Sequence, residues 1–394
     1  MKNWLWIAAA ALVGIPAIVL RLWGIELAPH LGAIVFGIAI VGGAFLLTWA
    51  AGAAQKEISQ ALALALLALI AVLPEYAVDI YFAWMAGIDP QYAGYAAANM
   101  TGANRLLIGI GWPLVAFLFW MKRGQRAVVL EKGQRVELTF LVLATIYSFI
   151  IPIKGTLSLL DSVVLVSLFA LYIWASSRVK AVEPELVGPS ATIAALPRRW
   201  SRLLTAFLFI LPAGIILASA EPFAEGLIQT GKTAGIDEFI LVQWVAPLAS
   251  EAPEILIASI LTLRGNPTAA MVVLISSKVN QWTLLIGTLP VAYCISLGGI
   301  GALPLDARQV EEVLLTGAQS AFAIAILARL RFSLPSAAIL FLLFITQLVL
   351  TMPMVRWGYA GAYLFLALVL LLADGERRRG LWAMMRTTFS TFRD

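Results

Sequence analysis

The sequence predicts an all-α polytopic membrane protein made of two inverted five-helix repeats, with one extra helix at each end. Three observations predict it. First, the 394-residue chain is 61% hydrophobic and 12% charged, against roughly 25% charged for a soluble domain, and its mean hydropathy is +0.93. Second, apolar runs of about 18–28 residues follow one another almost without pause, and each can cross a hydrocarbon core of roughly 30 Å as a helix. Their continuity excludes the alternating strands of a membrane barrel. Third, the chain repeats itself at a nearly fixed separation: Pro74-Glu75 recurs as Pro253-Glu254, and Asn104 and Gly111 recur as Asn280 and Gly287.

The runs place twelve spans, at 4–22, 32–54, 60–86, 93–121, 137–152, 158–176, 203–230, 237–262, 268–297, 312–330, 334–352 and 356–373. The first follows a single Lys and ends Arg21-Leu22-Trp23-Gly24 without a small-x-small cleavage site, so it reads as a retained helix and not a signal peptide. Trp4, Trp6 and Trp23 stand at its ends, as interfacial aromatics do. The next ten spans divide into two sets of five. Their starts pair in order, 32 with 203, 60 with 237, 93 with 268, 137 with 312 and 158 with 334, at a nearly constant offset. Such an offset indicates duplication. An odd number of spans per copy gives the copies opposite orientations, the inverted-repeat plan of many secondary transporters, whose substrate site lies near the midplane between the halves.

The expected organisation is therefore an extra helix at 1–31, a first repeat at 32–176, a linker at 177–202, a second repeat at 203–352, and an extra helix with a basic tail at 353–394. The linker has no room for a folded domain. Alternating the spans from a cytoplasmic N-terminus leaves twenty Lys and Arg on the cytoplasmic side and five on the other, with Arg105 and Lys278 inside spans. By the positive-inside rule both termini are cytoplasmic in a multi-pass cell membrane protein. The formal charge of +5 thus reports topology and not nucleic-acid binding. Arg377-Arg378-Arg379 reads as an anchor at an anionic lipid surface. One Cys (Cys294) and one His (His30) exclude a disulfide and a Cys/His zinc site. No nucleotide motif, nucleophile elbow or metal-protease cluster is present, so the chain does not read as an enzyme and needs no cofactor. The partners implied are cations and the bilayer, and no protein partner is signalled.

Ionisable groups in apolar spans mark function. Glu75 and Glu254 each follow a proline, which cannot donate to the carbonyl four residues earlier and so frees Ile70 and Ala249. Pro247 does the same for Gln243. Freed carbonyls beside carboxylates suit hard cations, which take oxygen ligands. Glu251 precedes Glu254 by three positions, so an unbroken helix turns both to one side, and two close carboxylates favour a shared proton or a bound cation. Asp79 shares the Glu75 face and has Arg105 as a possible partner. Asn99 is the better amide ligand, while Asn104 and Asn280 suit helix–helix hydrogen bonds. Lys278 stands where the first copy has Gly102, which directs an ammonium toward a helix crossing, either as a tethered cation that neutralises Glu251 or Glu254 or as part of a permanent salt bridge.

These stretches resemble the alpha-repeats of the calcium/cation antiporter superfamily, which includes sodium/calcium exchangers. The family pattern is roughly G-T-S-x-P-E on one helix and G-N-x-x-G-S-N on the next. Here the copies read Ile70-Ala71-Val72-Leu73-Pro74-Glu75 with Ala98-Asn99-Met100-Thr101-Gly102-Ala103-Asn104, and Ala249-Ser250-Glu251-Ala252-Pro253-Glu254 with Leu274-Ile275-Ser276-Ser277-Lys278-Val279-Asn280. The resemblance implies that Glu75 and Glu254 ligate the transported divalent cation, that Asn99 is an amide ligand, and that Ser250 takes a Na⁺-binding hydroxyl position. Ala71 and Val72 replace Thr-Ser, Glu251 replaces Ser, Ile275 replaces Asn or Asp, and Lys278 replaces Gly. The expected activity is secondary antiport of Ca²⁺ against Na⁺ or H⁺ by alternating access. The alternatives are proton-coupled or monovalent cation exchange with Glu251 and Lys278 as the titrating pair, and a degenerate ion-binding protein that does not transport.

Overall fold

The computed structural model describes residues 2–55, 72–178, 186–350 and 352–390. In chain order the elements are α1 (Lys2–Trp23), α2 (Pro29–Ala54), α3 (Leu73–Ala86), α4 (Tyr92–Arg123), β1 (Ala127–Val129), α5 (Lys132–Lys154), β2 (Thr156–Ser158), α6 (Leu159–Arg178), α7 (Pro189–Ala194), α8 (Arg198–Ala234), α9 (Glu238–Arg264), α10 (Pro267–Leu297), β3 (Ala302–Pro304), α11 (Ala307–Leu327), β4 (Arg331–Ser333), α12 (Leu334–Val349), α13 (Pro353–Ala373) and α14 (Gly375–Ser390). Among the described residues, ten helices are long and apolar enough to cross a membrane, and α12 is apolar but shorter. The start of the span expected at 60–86 lies outside the described residues.

The chain forms two compact units, Met1–Phe82 with Lys180–Glu254, and Ala83–Val179 with Ile255–Asp394. Each draws a piece from both sequence repeats. In the first unit α2 packs along α8, the leading helices of the two repeats, and glycines set their approach. A Cβ on Gly226 would stand 2.8 Å from the Ala33 nitrogen and 3.0 Å from the Pro29 oxygen, and one on Gly37 would stand 2.9 Å from the Phe223 ring. Small residues of this kind let membrane helices approach backbone to backbone. α8 runs from Arg198 to Ala234, well past the span at 203–230, because its polar first turns continue the helix beyond the apolar run. Gly235, at φ 66°, ends it in the left-handed conformation. α1 breaks at residues 13 and 14 into two pieces, and its first half packs with Leu46, Trp49, Ile193 and Leu208 in one apolar cluster. Asn3 ties its start to the linker, donating to the Gly188 carbonyl at 3.1 Å and to the Thr192 hydroxyl at 2.7 Å.

In the second unit the duplication is visible in the backbone. β1 pairs antiparallel with β4 and β2 with β3. The step along the chain from Ala127 to Ala302 equals the step from Thr156 to Arg331, so each ribbon takes one strand from each repeat. The same step turns the pairing of Ala127 with Ser333 into that of Ala302 with Ser158, so both ribbons share one register. α4 and α10 each contain a π-helical segment, at Leu107–Gly111 and Gln281–Leu285. Each begins shortly after the repeated Asn104 or Asn280. π-bulges are rare and are frequent at functional sites.

Candidate ion-binding site

The first unit buries a set of acids. α9 passes through Pro247 and Pro253 without a break. The helix is therefore continuous where the sequence needs it to be, and Ser250, Glu251 and Glu254 are all buried along it. Neither proline carries an N–H, so the carbonyls of Gln243 and Ala249 lack their helical donor. The Ser250 hydroxyl turns back to donate to the Pro247 carbonyl at 3.3 Å. Glu254 is 5% exposed, and neither of its carboxyl oxygens has a hydrogen-bond partner among the described residues. A buried carboxylate left this way costs roughly several kcal/mol unless a proton or a cation joins it. Glu75 and Asp79 are buried on α3, and Glu75 and Glu254 lie within electrostatic reach of one another. Ile70, whose carbonyl Pro74 frees, lies outside the described residues.

The second unit holds the amides and the cations. Asn99 and Asn104 are buried on α4. Asn104 donates from Nδ2 to the Met100 carbonyl at 2.7 Å. Its Oδ1 and its main-chain oxygen accept from the Lys278 ammonium at 2.7 and 3.2 Å. That ammonium also lies 4.4 Å from the centroid of the Trp282 ring, within the range of a cation–π contact. Lys278 is 0% exposed. It thus bridges α10 to α4 through the Asn of the other repeat. Arg105 forms a buried ion pair with Glu312 of α11 at 2.5 Å. Arg356 of α13 joins the same group, 2.9 Å from Glu311 and 3.7 Å from Glu312. Sequence reasoning missed Glu311 and Glu312. They sit near the start of their span and read as interfacial, but an acid pair at the head of a later span is a signal once a buried Arg needs a partner. Among the described residues no three His, Cys, Asp or Glu side chains stand together as a metal cluster.

The sodium/calcium exchanger protein profile matches residues 29–178 and 204–353, one match over each repeat. The chain belongs to the sodium/calcium exchanger family. Among solved structures, the H⁺/Ca²⁺ exchanger CAX is 46% identical with a TM-score of 0.95, over 98% of this chain and 98% of that one. The Ca²⁺/H⁺ antiporter YfkE is 14% identical with a TM-score of 0.64, over 88% of this chain and 98% of that one. The sodium–calcium exchanger NCX_Mj, soaked with Na⁺ and Sr²⁺, is 18% identical with a TM-score of 0.54, over 86% and 98%. The last two speak for the fold alone. A comparison with curated proteins finds no match. Membership places the chain among polytopic exchangers with two repeats and makes it a multi-pass membrane protein, as its apolar helices require.

Proposed function

We propose that the protein is a secondary antiporter that exchanges Ca²⁺ for H⁺ across the cell membrane. The observation that carries this reading is Glu254, a buried carboxylate with neither oxygen hydrogen-bonded among the described residues, within electrostatic reach of Glu75. A pair of carboxylates carries a formal charge of −2. One divalent ion or two protons neutralise it, and occupancy by one excludes the other, which is what coupling requires. The remaining oxygens for the ion come from neutral groups on α9, namely the Ala249 and Gln243 carbonyls and the Ser250 hydroxyl. The 46% identity to an H⁺/Ca²⁺ exchanger favours H⁺ as the counter-ion. So does the replacement of Thr-Ser by Ala71-Val72, which removes two oxygens from the first repeat. Na⁺ is the second reading, and Ser250 favours it. Glu251 and Asp79 are additional proton sites on the same two helices. Lys278 and Arg105 keep the Asn99 helix in place. The two repeats, 32–176 and 203–352, act as the halves of an alternating-access cycle, and both termini face the cytoplasm.

Purified protein in liposomes tests this. A pH gradient in Na⁺-free buffer drives Ca²⁺ uptake, and Glu254→Gln reduces uptake to the empty-liposome background. Uptake that needs Na⁺ would replace H⁺ with Na⁺ as the counter-ion. Full uptake by the Gln variant would remove Glu254 from the site.

A further inference from the structure

Far from the acids in sequence, the second unit holds a cavity of about 310 Å³ lined by Arg135, Arg329, Leu330, Arg331, Glu376 and Gly380. It lies where the start of α5, the α11–β4 turn and α14 meet. Three features show that it is a built structure. Leu330, between two of the arginines, has φ 53° and is the one non-glycine residue with positive φ among those described. A left-handed leucine is strained, and such strain persists where the surroundings enforce it. Here the Leu330 N–H donates to the Leu327 carbonyl at 2.7 Å, and the Leu330 carbonyl accepts from Leu130 N–H at 2.8 Å. Arg329 and Arg331, on either side of this reversal, both line the cavity. Next, α14 is seated with no slack. A Cβ on Gly380 would overlap the Ala328 carbonyl oxygen, and Arg377 donates to the Ala325 and Ile326 carbonyls at 2.6 and 2.7 Å, capping α11. Last, the charges do not cancel. Arg329 is paired with Asp374 and Glu376. Arg135 has only the neutral Thr387 hydroxyl, at 3.2 Å, among the described residues. Arg331 has no side-chain partner among the described residues.

We propose that this cavity binds a phosphate group through Arg135 and Arg331, and that the bound phosphate holds α14 against α5 and α11. Guanidinium forks match phosphate oxygens bidentately, and two forks without an acidic partner lining one cavity match its charge. Its volume lies at the lower end of the range for small-ligand sites. Two sources offer the group: the head group of an anionic phospholipid, which α14 meets by leaving α13 after a single residue, and free phosphate in solution. The site does not depend on which ions the protein exchanges.

Hydrogen exchange of residues 375–390 in the full-length protein tests the proposal. Three samples are compared: discs of phosphatidylcholine alone, discs that also contain phosphatidylglycerol, and phosphatidylcholine discs with inorganic phosphate against chloride at equal ionic strength. Phosphatidylglycerol slows exchange of α14 several-fold, and Arg135→Gln/Arg331→Gln abolishes that protection. Arg199→Gln/Arg386→Gln, which removes two exposed arginines outside the cavity, keeps it. Protection by phosphatidylglycerol but not by inorganic phosphate identifies a lipid head group, and protection by both identifies free phosphate as sufficient. No protection by either, or protection that survives Arg135→Gln/Arg331→Gln, or protection lost equally in the control, overturns the site. Equal thermal midpoints in phosphatidylcholine alone show that the variants fold, and Arg135→Lys/Arg331→Lys supplies a milder substitution if the Gln pair does not.

Discussion

The charges buried in the second unit divide into two kinds, and single substitutions separate them. Arg105 pairs with Glu312, and Arg356 pairs with Glu311 and lies 3.7 Å from Glu312. Glu312→Gln takes a carboxylate partner from a buried guanidinium and lowers stability by about 3–5 kcal/mol. Glu311→Gln leaves Arg356 near Glu312 and costs about 1.5–3 kcal/mol, the value of a hydrogen bond to a charged group. Thermal unfolding in detergent ranks the two, and equal losses would mean that Arg105 is held elsewhere. Lys278 is different, because a neutral amide is among its acceptors. Asn104→Leu removes the 2.7 Å acceptor from a fully buried ammonium, while the main-chain oxygen and the Trp282 ring stay. Stability falls by roughly 1–3 kcal/mol, and Lys278→Met on the same background restores part of it. That Lys278 enters a helix crossing is legible in the sequence, because it replaces a repeat glycine. That an Asn of the other repeat stands among its acceptors is not, since an ammonium among acids suggests a carboxylate first.

Among the elements, the repeat was legible and its consequences were not. The near-constant offset of the span starts reveals the duplication. The matched β-ribbons, related by a comparable offset and in one register, express it in the backbone. Strands this short cannot show a period-two pattern, so no sequence reading finds them. α14 was hidden for another reason. Its residues are polar and basic, and a run of arginines reads as a solvated tail unless the surface beneath it is known. Close approach is also invisible in sequence, because a glycine in an apolar helix has many uses. Gly226 has a specific one. Its Cβ would meet main-chain atoms of Ala33 and Pro29, which cannot rotate away. Gly226→Ala forces α2 from α8 and costs about 1–3 kcal/mol. Gly358→Ala on α13, with nothing within 4 Å, is neutral or slightly stabilising through helix propensity. Unfolding midpoints of the two variants test the contact, and parity between them would show that the α2–α8 approach is not limiting.

For the whole molecule, the sidedness of the loops follows from two independent arguments. Charge counting puts the α4–α5 and α11–α12 connections on the basic side and the α5–α6 and α10–α11 connections on the other. Main-chain pairing joins the same loops: β1 to β4 and β2 to β3. A hydrogen-bonded ribbon cannot have its strands on opposite faces of a bilayer, since unpaired backbone groups are not tolerated in hydrocarbon. The pairing fixes which loops share a side, and the charges decide which side is cytoplasmic. These can fail separately. In a Cys294→Ala background, an impermeant thiol reagent labels Gly299→Cys in intact cells and labels Gln125→Cys only after permeabilisation. The reverse pattern would keep the ribbons and invert the protein, and the positive-inside argument alone would be at fault. Equal labelling of both positions in intact cells would place a basic and a non-basic loop on one side. The twelve-span alternation would then be wrong by a helix, and with it the opposite orientation of the two repeats on which the antiport reading depends.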